Sequence, residues 1–195
     1  MSRELGLPFD PIDRAARIWE RRFGPSSAMA AVTSIMRAQQ LLLAELDSIL
    51  RPYGLTFARY EVLTWLATDP DSARTLSWIS KTLRIPPATV TDVIDRLEDD
   101  ELVRREPHPS DARTTLAVIT ARGRRVAMAA TQDLNATVYE QIGLTEPQRS
   151  QLVELLAELR ANGNEFDVDR SNEVIEGMGS NAGPRRRRRQ PPEVA

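Results

Sequence analysis

Residues 86–123 read PPATVTDVIDRLEDDELVRREPHPSDARTTLAVITARG, and the fold of the chain turns on them. Pro86 and Pro87 open a run in which Val90, Val93, Ile94 and Leu97 recur at the three- and four-residue spacing of a helix with one buried face. That helix of some fifteen residues is expected to end near Asp100. Two short strand-like runs follow, Leu102 to Glu106 and Thr114 to Ile119, separated by the turn-rich Pro107-His108-Pro109-Ser110-Asp111. A β-hairpin is the natural reading. Thr120 then caps a helix that begins Ala121-Arg122-Gly123 and is expected to run to about Gln141.

Upstream, Leu76 to Leu83 reads as a brief helix with Leu76, Ile79 and Leu83 on one face. Before it, Thr56 caps a helix from Phe57 to Thr68, with Tyr60, Val62, Leu63, Trp65 and Leu66 as core candidates. The Asp69-Pro70-Asp71-Ser72 cluster separates these two helices as a turn. Helix, turn, helix and hairpin in that order make the layout of a winged helix-turn-helix. The expected fold class is therefore mainly α with a small β-hairpin wing.

Longer helices flank this lobe. One covers residues 10–23, with Asp10 as cap and Pro11 at the first helical position. A second covers about residues 26–51, and its Val32, Ile35, Met36, Leu42, Leu43 and Leu46 offer more apolar surface than one helix of a small monomer needs to bury. A third starts at Thr145-Glu146-Pro147, ends near Asn162 and carries Leu152, Val153, Leu155, Leu156 and Leu159. From Gly163 the pattern collapses into acids, a Gly/Ser/Asn stretch and the run Arg185 to Arg189. Such composition buries too little surface to order itself, so residues 163–195 are expected to be a disordered tail. The arginine run reads as a solvated tail or, alternatively, as a sequence-independent tracker of phosphate.

The chain carries no cysteine and one histidine, His108. Disulfides, thiolate nucleophiles and cysteine zinc sites are excluded, and no metal or cofactor is expected. A Gly-x-Ser-x-Gly elbow and a Gly-rich phosphate loop are also missing, so no enzyme is expected. Met1-Ser2-Arg3-Glu4-Leu5-Gly6 has no apolar stretch of the secretory kind, and no apolar run is long enough to span a bilayer. A cytoplasmic protein with no membrane partner is the expectation.

A net charge of −2 argues against a nucleic-acid binder until it is divided along the chain. Residues 102–125 hold six arginines (104, 105, 113, 122, 124 and 125) against Glu106 and Asp111, a surplus of +4. Residues 86–101 hold only Arg96 against Asp92, Asp95, Glu98, Asp99, Asp100 and Glu101, a surplus of −5. Because screening limits charge effects to roughly 8–10 Å, position matters more than the total. The acids gather at the far end of the helix, Glu98 to Glu101, and its near end is neutral: Pro87, Ala88, Thr89 and Thr91. The major groove admits one helix, whose N-terminal half approaches the base edges. Small neutral residues and free backbone N–H groups suit that end. Thr89 and Thr91 are therefore read as candidate DNA contacts, against the alternative of an ordinary solvated helix surface.

Two readings stand for Asp92: acceptance from a cytosine amino group, or pairing with Arg96 one turn on. Arg96 in turn is a candidate for phosphate. Arg104 and Arg105 alternate across a strand, so only one of them can face DNA. Arg113 is the candidate for the minor groove beside the hairpin, with Asp111 expected to hold its guanidinium as wing support.

The stretch from Asp111-Ala-Arg113 through Thr120 to Gly123 resembles the wing pattern of the MarR family. Pro87-Ala-Thr-Val-Thr-Asp-Val-Ile-Asp-Arg-Leu-Glu98 resembles that family's recognition helix, and Leu102-Val103-Arg104-Arg105 the start of its wing. The likeness covers about residues 28–160. It implies an intertwined homodimer, with helices 26–51 and 121–162 for dimerisation, a DNA-binding lobe at 56–120 and residues 1–25 as an N-terminal extension. It also implies a sequence-specific regulator, a ligand-responsive repressor on a pseudo-palindromic site in double-stranded DNA. The alternative is an architectural DNA-binding protein with little sequence preference. By the same resemblance Arg74, Thr75, Ser77 and Lys81 would lie near phosphate, and a small aromatic or anionic effector would bind. Met36, Tyr53, Phe57 and Trp65 are candidates to line the effector pocket, against the alternative of core packing. Glu101 stands where the family usually has Gly, so that turn is expected to differ, and Asp-Ala-Arg replaces the commoner Asp-Arg-Arg in the wing.

Overall fold

The computed structural model describes residues 6–69, 71–167 and 170–171, so the Arg185–Arg189 run lies outside the described residues. The chain divides into two compact units, 1–142 and 143–195.

In the first unit each helix starts at a local cap. Asp10 accepts from the Ile12 N–H at 2.8 Å and opens α1 (Pro11–Phe23). Helix α2 (Ser27–Leu50) runs into a 3₁₀ turn over Arg51–Tyr53, and Gly54 closes it with φ +72°, a left-handed conformation that suits glycine. Thr56 and Thr75 cap α3 (Phe57–Thr68) and α4 (Leu76–Leu83) through their hydroxyls. Helix α5 (Pro87–Asp99) follows, then α6 (Ala121–Leu134), capped by Thr120, which accepts from the Gly123 N–H at 2.9 Å.

The sheet has three strands where a two-stranded hairpin was expected. Strands β2 (Val103–His108) and β3 (Asp111–Ile119) form the hairpin, and β1 (Ala73–Thr75) pairs antiparallel with the far side of β3. The hairpin is also longer than its strand-like composition predicts. Pairing continues to His108↔Asp111 through an irregularity at Pro107/His108, leaving Pro109 and Ser110 as the turn. Proline cannot donate to a ladder, which is why the sequence pattern alone stops the strand early.

A single core joins the lobe. Val90, Val93, Ile94 and Leu97 of α5 are buried together with Val62, Leu63 and Leu66 of α3, Ile79 of α4 and Leu102, Val103, Ala117 and Ile119 of the wing base. This inner face of α5 is the one its spacing predicts. Trp65, in contrast, is 44% exposed rather than part of the core. Two hydroxyl contacts tie α3 and the preceding turn to α6. The Tyr53 hydroxyl donates to Asp133 at 2.5 Å, and Tyr60 Oη lies 2.9 Å from Thr131 Oγ1.

Helix α6 does not continue to Gln141 as expected. After Leu134 the chain widens into a π-turn over Asn135–Tyr139, with the Glu140 N–H reaching back five residues to the Asn135 carbonyl at 3.1 Å. Such wide turns often mark functional positions. In the second unit, α7 (Glu146–Asn162) opens where the Gln148 side-chain carbonyl accepts from the Thr145 N–H at 2.9 Å, and none of its residues is buried.

The end of α5 resolves the expectation about Glu101. The Glu101 N–H donates to Glu98 O at 2.9 Å and the Leu102 N–H to Leu97 O at 2.8 Å, the reverse-turn closure that requires a left-handed residue. Glu101 supplies it at φ +59°. A Cβ-bearing residue there costs about 1–2 kcal/mol, whereas its pairing with Arg122 at 3.0 Å is on exposed surface and worth little. Glu101→Gly is therefore expected to stabilise the protein by about 1 kcal/mol, after allowing for glycine's extra freedom when unfolded. Thermal unfolding at fixed protein concentration checks this, and an unchanged or lower midpoint would show that the Arg122 pair outweighs the backbone strain.

Candidate nucleic-acid interface

Helix α5 presents its first turn to solvent. Pro86, Pro87, Ala88, Thr89, Thr91 and Asp92 are all exposed. Neither Pro86 nor Pro87 has an N–H to give, so the donors left at this tip are the amides of Ala88 and Thr89, which no protein group accepts among the described residues. Thr91 donates its hydroxyl back to Pro87 O at 3.1 Å, leaving that oxygen's lone pairs facing outward. The Thr89 hydroxyl has no protein partner among the described residues, and this end of the helix carries no acid before Asp92.

Two acids farther along α5, Asp95 and Glu98, are engaged internally. Arg105 donates its backbone N–H to Glu98 at 2.9 Å and its guanidinium to Glu98 and Asp95, both at 2.5 Å. Those bonds, the backbone one first, hold the Glu98 carboxyl below the ordinary glutamate range. Arg59 approaches Asp100 at 4.0 Å and Arg122 pairs with Glu101. The negative surplus of residues 86–101 is thus largely offset by neighbouring cations on the side away from the exposed tip.

Strand alternation sorts the two wing arginines. Arg105 turns inward and Arg104 outward, where it pairs with Glu106 at 2.6 Å. The expected pairing of Asp92 with Arg96 is not formed: both side chains are exposed, and neither enters an ion pair among the described residues.

Asp111 does not grip the Arg113 guanidinium. Its carboxylate accepts from the Thr114 hydroxyl at 2.8 Å and the Arg113 backbone N–H at 3.0 Å. These two bonds, the hydroxyl first, hold its carboxyl below the usual aspartate range. A short carboxylate meets the amide two residues on before it can reach a long side chain. The result is a wing tip pinned by Asp111, with an exposed Arg113 that forms no ion pair among the described residues.

On α4, Ser77 and Lys81 are exposed one turn apart on one face. Thr75 is occupied as the cap, accepting from the Trp78 N–H at 3.1 Å, with Ser77 Oγ also 3.1 Å away. Arg74 is structural: it pairs with Asp69 and lies over the Trp78 ring at 5.0 Å. Sequence reading missed Arg84. It is exposed in the three-residue turn between α4 and α5, with φ +51°, and the short spacing from Leu83 to Pro87 was the available signal.

The four candidate effector residues separate. Phe57 and Trp65 line a cleft of about 350 Å³ on α3, together with Tyr60, Glu61, Thr64, Thr68 and Tyr139. Met36, 57% exposed on α2, and Tyr53, bonded to Asp133, are not among its walls.

Comparison with known proteins agrees with this geometry. The MarR family model matches residues 53–114. A MarR family transcriptional regulator from Streptomyces coelicolor, solved near atomic resolution, is 42% identical with a TM-score of 0.67, the match covering 72% of this chain and 98% of that one. A second MarR family regulator from Streptomyces coelicolor, solved in complex with DNA, is 26% identical with a TM-score of 0.63, covering 72% and 90%. An HTH-type transcriptional repressor of Mycobacterium tuberculosis is 28% identical over 126 residues, which is 64% of this chain and 89% of the repressor. With a winged lobe whose neutral helix tip and basic hairpin face outward, the chain belongs to the MarR family of transcriptional regulators.

Proposed function

We propose that the protein acts as a homodimeric, ligand-responsive repressor on a pseudo-palindromic DNA site. In this reading the tips of two α5 helices enter successive major grooves, with Thr89 and Thr91 at the base edges and the amides of Ala88 and Thr89 toward phosphate. Arg113 of each wing reaches the flanking minor groove, while Ser77, Lys81, Arg96 and Arg104 meet the backbone. The observation that carries the reading is the pairing pattern. The cations near the acidic end of α5 are spent on protein carboxylates, whereas Arg113 at the wing tip enters no ion pair among the described residues and the first turn of α5 carries no acid.

The dimer is supported by apolar surface that a monomer leaves wet. Only Leu46 and Leu50 of α2 are buried, whereas Val32, Ile35, Met36, Leu41 and Leu43 are exposed, as are Leu152, Val153, Leu155 and Leu159 of α7. Patches of this extent on a soluble chain mark an association surface. The α3 cleft supports the ligand response, since it lies in the lobe that holds α5.

Selection of genomic fragments by the purified full chain, followed by footprinting, tests the reading. The expected footprint has two half-sites whose centres lie about 10 base pairs apart. Equal affinity for the selected site and for random duplex would overturn it in favour of an architectural protein, and a stable monomer in solution would overturn the dimer.

A further inference from the structure

The α3 cleft has a chemical bias. Its walls include four aromatic side chains, Phe57, Tyr60, Trp65 and Tyr139, around a single charged residue, Glu61. Glu61 is half-buried and forms no ion pair among the described residues. Two cations on α3 and α6 are committed elsewhere. Arg124 donates to Ala67 O at 2.5 Å and Ser72 Oγ at 2.6 Å, and Arg59 donates to Gly54 O at 3.0 Å. Loss of water raises the Glu61 carboxyl above its ordinary pKa, with no nearby positive group to restore it. Burial, and behind it the neighbouring Tyr60 and Glu61, also push the Tyr139 hydroxyl up.

A carboxylate without a counter-ion among aromatic rings is complementary to a cation. Aromatic faces attract positive charge, and the attraction grows where water is excluded. An anion would meet both the Glu61 charge and the negative faces of the rings. We propose that the cleft takes a compact organic ammonium ion, with Glu61 as its counter-ion and Tyr60, Trp65 and Tyr139 as the wall around its charged head. This rests on the effector reading above and narrows it, away from the anionic class that the family resemblance had suggested. The cleft volume of about 350 Å³ suits a single-ring amine.

Calorimetric titration of the full chain with benzyltrimethylammonium, its neutral carbon analogue neopentylbenzene, and benzoate tests the proposal. The cation is expected to bind at least about tenfold tighter than either of the others. Glu61→Gln should weaken the cation about tenfold while leaving neopentylbenzene unchanged. Tyr139→Leu, a second variant in case the first perturbs folding, should weaken the cation several-fold. Benzoate binding as tightly as the cation, no binding of the cation at millimolar concentration, or an unaltered cation affinity in Glu61→Gln would each overturn the proposal. Operator binding measured on the same samples separates the two ideas. If benzoate binds and releases DNA, the effector reading stands and the cation class falls. If none of the three compounds binds or changes operator affinity, both fall.

Discussion

Gly123→Ala is expected to destabilise the protein by about 3 kcal/mol, the combined cost of overpacking and a lost hydrogen bond. A Cβ built on Gly123 would sit 2.0 Å from Leu102 O, 2.9 Å from Leu102 C and 3.0 Å from Ile119 Cγ1. Two of these three atoms are backbone, so no flexible side chain can swing aside. The same Leu102 carbonyl accepts from the Thr120 N–H at 3.0 Å and the Thr120 hydroxyl at 3.2 Å, which joins the wing base to the start of α6. To admit the methyl group, β2 and α6 must separate and that junction loosens. For a protein of this size the melting point should fall by roughly 6–12 °C, read at one protein concentration because dissociation of a dimer would contribute. A variant that melts with the wild type would mean that α6 and β2 are not in close contact.

The helices were readable from the sequence because their signals are local. Asp10, Thr56 and Thr120 each stand one residue before a helix and cap it, as expected, and the four inward residues of α5 are the four its spacing selects. What escaped sequence reading depends on contacts made across the fold. Strand β1 has only three residues, too few for a period, and exists because β3 offers it an edge at Leu116 to Val118. The π-turn at Asn135–Tyr139 breaks no composition rule. Partner choice among charged residues was the least legible feature. Arg105 finds Glu98 across the helix–strand junction, Asp111 takes an amide instead of a guanidinium, and Asp92 and Arg96 stay apart despite helical spacing that would allow them to meet. Long side chains reach many acids, and sequence spacing does not rank the choices. Glu61 escaped for a similar reason. A carboxylate on a helix reads as a solvated face, and only the packing of the π-turn beside α3 makes it the charged wall of a cleft.

Arg113→Ala is expected to carry the largest functional loss. The wing tip is rigid without this residue's help, since Asp111 is satisfied by the Thr114 hydroxyl and the Arg113 amide, and the latter survives the substitution. The variant should therefore fold and melt as the wild type does, so a loss of affinity can be assigned to the missing guanidinium. An arginine in a DNA groove is worth about 1–3 kcal/mol, and a dimer places two of them, so affinity for the selected operator should fall at least about tenfold. The loss should extend to most sequences, because a minor-groove arginine responds to groove width and potential more than to base identity. If each guanidinium neutralises one phosphate, the slope of log affinity against log salt should become shallower by about two for the dimer. Arg104→Ala is the internal control: that side chain already pairs with Glu106, so its removal should cost less. Fluorescence anisotropy with a labelled operator across a salt series reads both quantities together. Wild-type affinity and an unchanged slope in Arg113→Ala would remove the wing from the interface and leave α5 to account for binding alone.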